Sequence, residues 1–141
     1  MSLTDCIRND VVTASPNDSV QDIAELMDRR NVGSVVITRN ERPIGIVTDR
    51  DLVLRVTARD KDPKITSVSD VMTRDPLVVR DDDSLEDVIS CAREQCVRRL
   101  PVVDDNECLV GIVTLDDVVS NLVDEMNAVN DVIRSSGPSA M

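Results

Sequence analysis

A chain of 141 residues can close one compact domain, but with no Phe, Tyr or Trp its core must be built from Val, Ile, Leu, Met and Ala. The missing aromatics rule out base stacking, and the missing His removes the usual proton shuttle and the commonest metal ligand. A net charge of −11 opposes binding to nucleic acid or to an anionic membrane.

Along the chain the sequence reads as a duplication. Asp5-Cys6-Ile7-Arg8-Asn9-Asp10 stands 65 positions before Asp70-Val71-Met72-Thr73-Arg74-Asp75, and Ser19-Val20-Gln21-Asp22-Ile23 stands the same distance before Ser84-Leu85-Glu86-Asp87-Val88. After one inserted residue, Gly45-Ile46-Val47-Thr48-Asp49-Arg50-Asp51 returns as Gly111-Ile112-Val113-Thr114-Leu115-Asp116-Asp117. The expected organisation is one unit at 5–60, a linker at 61–69, a second unit at 70–126, and at 127–141 a helical extension with a disordered tail. Two copies are too few for a solenoid and fit two similar lobes on a pseudo-twofold axis.

Each unit predicts the same elements. A short apolar strand (11–13 and 77–79) leads into a polar turn, and Ser19 or Ser84 then caps a helix with an acid three residues on. Val20, Ile23, Ala24 and Met27, and then Leu85, Val88, Ile89 and Ala92, recur at helical spacing and predict one buried stripe per helix. A β-hairpin follows in each unit, 35–37 with 44–47 and 100–103 with 109–113, around polar turns at 39–42 and 104–107. A second helix carries Leu52, Val53 and Val56 in the first unit, and Val118, Val119, Leu122 and Val123 in the second. Val129, Val132 and Ile133 allow that last helix to run on. The fold class is α/β (α+β).

The charge is unevenly spread. Residues 5–60 carry 8 Arg against 10 acids, whereas 70–126 carry 5 Arg against 15 acids. The bias to Asp and Arg fits a high-salt cytoplasm and an ordinary acidic protein equally well. Cys6, Cys91, Cys96 and Cys108 form no C-x-x-C pair, so buried reduced thiols are expected and no metal site. No apolar run has the length of a signal peptide or a membrane span, which leads us to expect a soluble cytoplasmic protein. Asp81-Asp82-Asp83 reads as a solvated turn before a cap, because consecutive residues do not converge on one ion.

The repeated Thr-x-x-Asp carries the chemistry. It has a local reading: Thr48 and Thr114 cap a helix, and Asp51 and Asp117 sit at the third helical position, where a carboxylate satisfies early amides. It also has a functional reading. A helix N-terminus offers free N–H groups to a phosphate, and a carboxylate there can accept both hydroxyls of a ribose. On spacing alone the local reading suffices. Repetition of the whole Gly-Ile-Val-Thr context, which a cap does not need, favours the functional one.

Gly-Ile-Val-Thr-x-x-Asp, placed after a hairpin opened by Arg98-Arg99-Leu100-Pro101-Val102-Val103-Asp104, resembles the CBS domain (named for cystathionine β-synthase). Asp70-Val71-Met72-Thr73 before Pro76 resembles its usual lead-in. The likeness covers both units and implies a tandem pair, or Bateman module, standing alone. It implies two β-α-β-β-α repeats with clefts between them that bind AMP, ADP, ATP, S-adenosylmethionine or NAD as a regulatory ligand. It further implies ribose contacts from Asp51 and Asp117, ribose or phosphate contacts from Thr48 and Thr114, and an adenine enclosure at Thr13, Ala14, Val36, Val78, Val79, Leu100 and Pro101.

Arg98 and Arg99 lie where γ subunits of AMP-activated kinases carry phosphate-binding basic residues, and an Arg fork suits phosphate. The plainer reading is two surface arginines in an acidic unit. The first unit has Gly33-Ser34 at that place and Arg50 inside its motif, where the second has Asp116. We therefore expect the Asp117 site to favour a phosphorylated ligand through Arg98 and Arg99. The Asp51 site should be weaker, or take a less anionic ligand such as S-adenosylmethionine.

The leading expectation is a regulatory sensor of adenosine-containing ligands, homodimeric and acting on a regulated protein partner. The alternative is a dimerisation or scaffold module that binds no nucleotide. Catalysis is not expected. No Gly-rich phosphate loop or serine elbow is present, and Asp116 and Asp117, adjacent on a helix, do not face one another.

Overall fold

The computed structural model describes residues 1–137. In the first half, β1 (Thr13–Ala14) leads to α1 (Val20–Arg30), the hairpin β2 (Ser34–Arg39) and β3 (Arg42–Thr48), and α2 (Asp49–Arg55). After β4 (Thr73–Arg74), the second half repeats the order with β5 (Val79–Arg80), α3 (Leu85–Gln95), β6 (Arg99–Val103), β7 (Leu109–Thr114) and α4 (Leu115–Ser136). The first strands are shorter than expected and begin two residues later, because only these residues find a ladder partner: Thr13 pairs with Val36 and Val79 with Val102, both parallel.

The helix starts form as their side chains dictate. Ser19 Oγ and Ser84 Oγ each accept the N–H of the acid three residues on, at 3.1 Å. The next orphan amides of α1 are met from residues 61–69: Val20 N–H donates to Thr66 O at 2.9 Å and Gln21 N–H to Pro63 O at 3.0 Å. That stretch, expected as a linker, is thus tied to the helix start. The buried stripes are narrower than expected. Val20, Ile23 and Met27 are buried on α1, and Val88 and Ala92 on α3, while Ala24 faces outward and Ile89 is 40% exposed. Each helix covers one face of a narrow sheet, so a single row of side chains suffices. The first hairpin turns on Asn40 and Glu41, both at positive φ, the two-residue geometry that matches strand twist. Glu41 O then accepts Leu109 N–H at 2.9 Å, joining the two hairpins.

The two halves exchange their lead-in segments. Thr73 and Arg74 of β4 pair antiparallel with Ile46 and Gly45 of β3, making the first sheet four-stranded in the order β1-β2-β3-β4. Arg8 does the same for the second sheet: its N–H and C=O both bond Ile112 at 2.9 Å, beside the strand order β5-β6-β7. The cores follow the exchange. Val68, Val71 and Met72 close the first core around Val35, Ile37 and Val47, and Leu3 and Cys6 close the second around Leu100, Val102 and Val113.

The exchange explains why the repeated motif opens with glycine. A Cβ on Gly45 would stand 2.3 Å from Met72 Sδ, and one on Gly111 would stand 2.5 Å from Ile7 Cγ2 and 2.7 Å from Arg8 O.

The cysteines depart from expectation. Cys6 alone is buried, Cys108 is intermediate, and Cys91 and Cys96 are exposed; all are free thiols. Cys91 lies on the outer face of α3 and Cys96 follows its last turn. The last helix does run on, to Ser136, with Val119, Leu122, Val123, Met126, Val129, Val132 and Ile133 exposed. The expected tail disorder falls on residues 138–141, outside the described residues.

Two outcomes check this packing. Gly111→Ala should destabilise the protein by about 1–3 kcal/mol in urea unfolding, because a backbone carbonyl must move, and Gly45→Ala by less, because a Met side chain can rotate; equal or negligible effects would contradict the exchange. Burial pushes the Cys6 thiol above its ordinary range. In the native protein a thiol reagent at pH 8 should therefore modify Cys91 and Cys96 quickly and Cys6 only on unfolding.

Candidate functional site

Both Thr-x-x-Asp motifs sit where a β-strand becomes a helix. Thr48 Oγ1 accepts the Asp51 N–H at 3.2 Å, and Thr114 Oγ1 the Asp117 N–H at 3.1 Å. The two carboxylates then diverge. Asp51 turns back into its own cap, its Oδ2 accepting Thr48 N–H at 3.0 Å, and Arg55 approaches its Oδ1 at 3.6 Å. The local reading describes Asp51 fully. Asp117 instead faces the opposite half. Arg8 donates Nε–H to its Oδ2 at 2.7 Å and an Nη2–H to its Oδ1 at 2.8 Å, a two-pronged pair. This bond holds the Arg8 guanidinium more firmly protonated than usual.

Asp117 opens on a cleft of about 340 Å³ built from both halves. The second half contributes Ile112, Thr114, Asp116 and Asp117; the first contributes Asp10, Val11, Val12, Asn31 to Ser34 and Val36, with Arg8 between them. One wall is apolar and the other carries carboxylates at a helix start, the division needed to hold a flat apolar group with a polyhydroxylated one.

Of the residues singled out in the sequence, Thr114, Asp117 and Val36 meet in this cleft. Val79, Leu100 and Pro101 are closed into the second half's interior, Val78 is 39% exposed, and Thr13 is exposed beside half-buried Ala14 on β1. Arg98 and Arg99 do not line the Asp117 cleft. Arg98 bonds Asp116 at 2.7 Å and Arg99 is exposed at the start of β6. The residues at their place in the lining are Gly33 and Ser34 of the other half. Arg98 reaches this cleft through Asp116, which lines it. Arg8, Asp10 and Asn31 were not singled out. The sequence signal for Arg8 was its place in the repeated lead-in, opposite Thr73.

Among the described residues no cluster of His, Cys, Asp and Glu could hold a metal ion, and no helix is long and apolar enough to cross a membrane.

The CBS-domain profile matches twice, at residues 3–58 and 68–124. The chain belongs to the CBS-domain family. CBS pairs are regulatory modules. The chain is 39% identical over 127 residues to the CBS domain-containing protein YhcV of Bacillus subtilis, covering 90% of this chain and 89% of the relative. It is 38% identical over 120 residues to the uncharacterized protein MK0525 of Methanopyrus kandleri, covering 84% of this chain but only 61% of that protein. Among solved structures, the CBS domain pair of protein MJ0100, in complex with 5′-methylthioadenosine and S-adenosyl-L-methionine, superposes with a TM-score of 0.76 at 24% identity. It covers 86% of this chain and 99% of that one, and establishes the common fold.

The divergent carboxylates contribute unequally to stability. Asp51→Ala should lower stability by about 1 kcal/mol through loss of a cap contact. Asp117→Ala should cost less, since Arg8 is 64% exposed and its pair is solvent-screened. Thermal melts of the two variants check the order, and a larger loss at Asp117 would contradict it.

Proposed function

We propose that this CBS pair is a sensor of adenosine-containing ligands, and that the Asp117 cleft is one of its binding sites. The observation that carries the reading is the meeting of Thr114 and Asp117, at a helix start of one half, with Val11, Val12 and Val36 of the other. Adenine fits the valine wall. The ribose diol donates to the two carboxylate oxygens of Asp117. The MJ0100 pair, of the same fold, holds adenosyl ligands and supports the chemistry. Arg50, Arg98 and Arg99 belong in this reading to the Asp51 side, which then takes a ligand's phosphate. The acidic residues Asp10 and Asp116 make the Asp117 cleft the less favourable place for a polyphosphate.

A ligand that spans the cleft touches both halves and changes their packing, which is how the signal leaves the site. It acts only through its different affinity for the two arrangements. The receiver in this reading is a second copy of the chain and, through it, a regulated protein. The outward apolar residues Val53 and Leu54 on α2, and Val119, Leu122 and Val123 on α4, support self-association. They also support the scaffold alternative, in which these faces assemble and the clefts stay empty.

Calorimetric titration with AMP, ATP, NAD and S-adenosylmethionine separates the two, with wild type, Asp51→Ala and Asp117→Ala compared. Saturable binding weakened at least tenfold by Asp117→Ala is expected, since charge-assisted hydrogen bonds are each worth about 1.5–3 kcal/mol. Silent titrations without any rise in melting temperature would favour the scaffold.

A further inference from the structure

The Arg8–Asp117 pair occupies the two oxygens that a ribose diol needs. Nε and Nη2 of Arg8 sit on Oδ2 and Oδ1 at 2.7 and 2.8 Å, so neither oxygen is free on that side. A ligand whose sugar diol takes the same edge of the Asp117 carboxylate must first displace the guanidinium. The backbone of Arg8 cannot follow, because its N–H and C=O are both fixed to Ile112 at 2.9 Å in the second sheet. The displaced guanidinium therefore stays at the cleft on a flexible, 64% exposed side chain.

We infer that Arg8 is a specificity-determining residue of the Asp117 cleft, a built-in competitor of the ribose that selects adenosyl ligands bearing a 5′-phosphate over neutral nucleosides. The inference rests on the adenosyl-ligand reading and adds to it which ligand the cleft prefers. A neutral nucleoside breaks the two-pronged pair and brings no anion in its place, leaving Arg8 only the surrounding carboxylates such as Asp10. A ligand with a 5′-phosphate also breaks it, but then offers the freed fork two phosphate oxygens in place of the two carboxylate oxygens it lost. Even with Asp10 and Asp116 in the lining, the exchange therefore costs a singly phosphorylated ligand less than it costs the nucleoside. The twin position in the other half is Thr73, which carries no charge; Asp51 is engaged by its own cap and met by Arg55 only at 3.6 Å, with no two-pronged hydrogen-bonded pair to displace. The selection therefore belongs to one cleft.

The test is titration of adenosine and AMP into Asp51→Asn protein, so that the Asp117 cleft reports alone, compared with the same protein carrying Arg8→Ala or Arg8→Lys. Removing an exposed competitor should tighten adenosine about three- to fivefold in Arg8→Ala, while AMP, which loses a competitor and a partner together, gains nothing. The preference for AMP over adenosine then falls at least threefold. Arg8→Lys, which keeps the charge but not the fork, should lie between. Adenosine bound no tighter by Arg8→Ala, or both ligands weakened in parallel, overturns the role of Arg8 and leaves the adenosyl reading standing. No heat from either ligand in any of the three proteins overturns that reading, and this inference with it.

Discussion

The close passage of each lead-in segment over a glycine of the opposite half is the constraint on which the rest of the molecule depends. Neither sheet is complete within its own repeat. The first has a three-stranded core that needs Thr73 and Arg74 at its edge, and the second needs Arg8. The hydrophobic cores are shared in the same way, with Val68, Val71 and Met72 buried in one and Leu3 and Cys6 in the other. A half of this size, without aromatic side chains, buries little apolar surface alone. Borrowing a segment adds several buried side chains and covers an open sheet edge. It also makes the two halves one unit, since neither lead-in can leave without opening the other half's core.

The same crossing fixes the site. A strand end from one half and a helix start from its neighbour are brought together only because the lead-ins hold the halves face to face. The twofold that relates the backbones does not extend to the charges. Gly33-Ser34 stands where Arg98-Arg99 stands in the other half, Asp116 where Arg50 stands, and Arg8 where Thr73 stands. One backbone geometry therefore carries two electrostatically unlike surroundings for the repeated motif. Between the two repeats Thr48 and Asp51 recur as Thr114 and Asp117, while the residues around them differ in charge.

What the sequence disclosed was local or repeated. Ser19, Ser84, Thr48 and Thr114 are legible as caps because each bonds an amide three residues away. The hairpins are legible because their partners are adjacent in the chain. What stayed hidden was long-range. Arg8 meets Asp117 across 109 positions, and nothing near either residue announces the other. The surroundings of Asp117 were hidden for the same reason. Reading along one repeat suggests that a motif's neighbours in sequence serve its own site, whereas Gly33 and Ser34 reach Asp117 from the opposite half. The burial of Cys91 was misjudged because residue type alone does not say which face of α3 a thiol occupies.

The N-terminal segment lies at the junction of these effects. Arg8 stands in the cleft, Leu3 and Cys6 are in the second core, and the segment touches α4 twice more: the Met1 amine approaches Glu125 at 3.4 Å, and Asn121 donates to Asp5 O at 3.4 Å. Along the same helix, Leu122 and Met126 begin the apolar row that runs outward to Ile133. The segment thus has one end on the carboxylate of the cleft and the other on the helix that offers an uncovered apolar surface. In the proposed sensor reading, a side-chain exchange at Asp117 and a packing change at α4 would act on one short stretch of backbone, anchored between them at Ile112. Such coupling would require no path through the sheets, because the stretch that completes the second sheet already touches both.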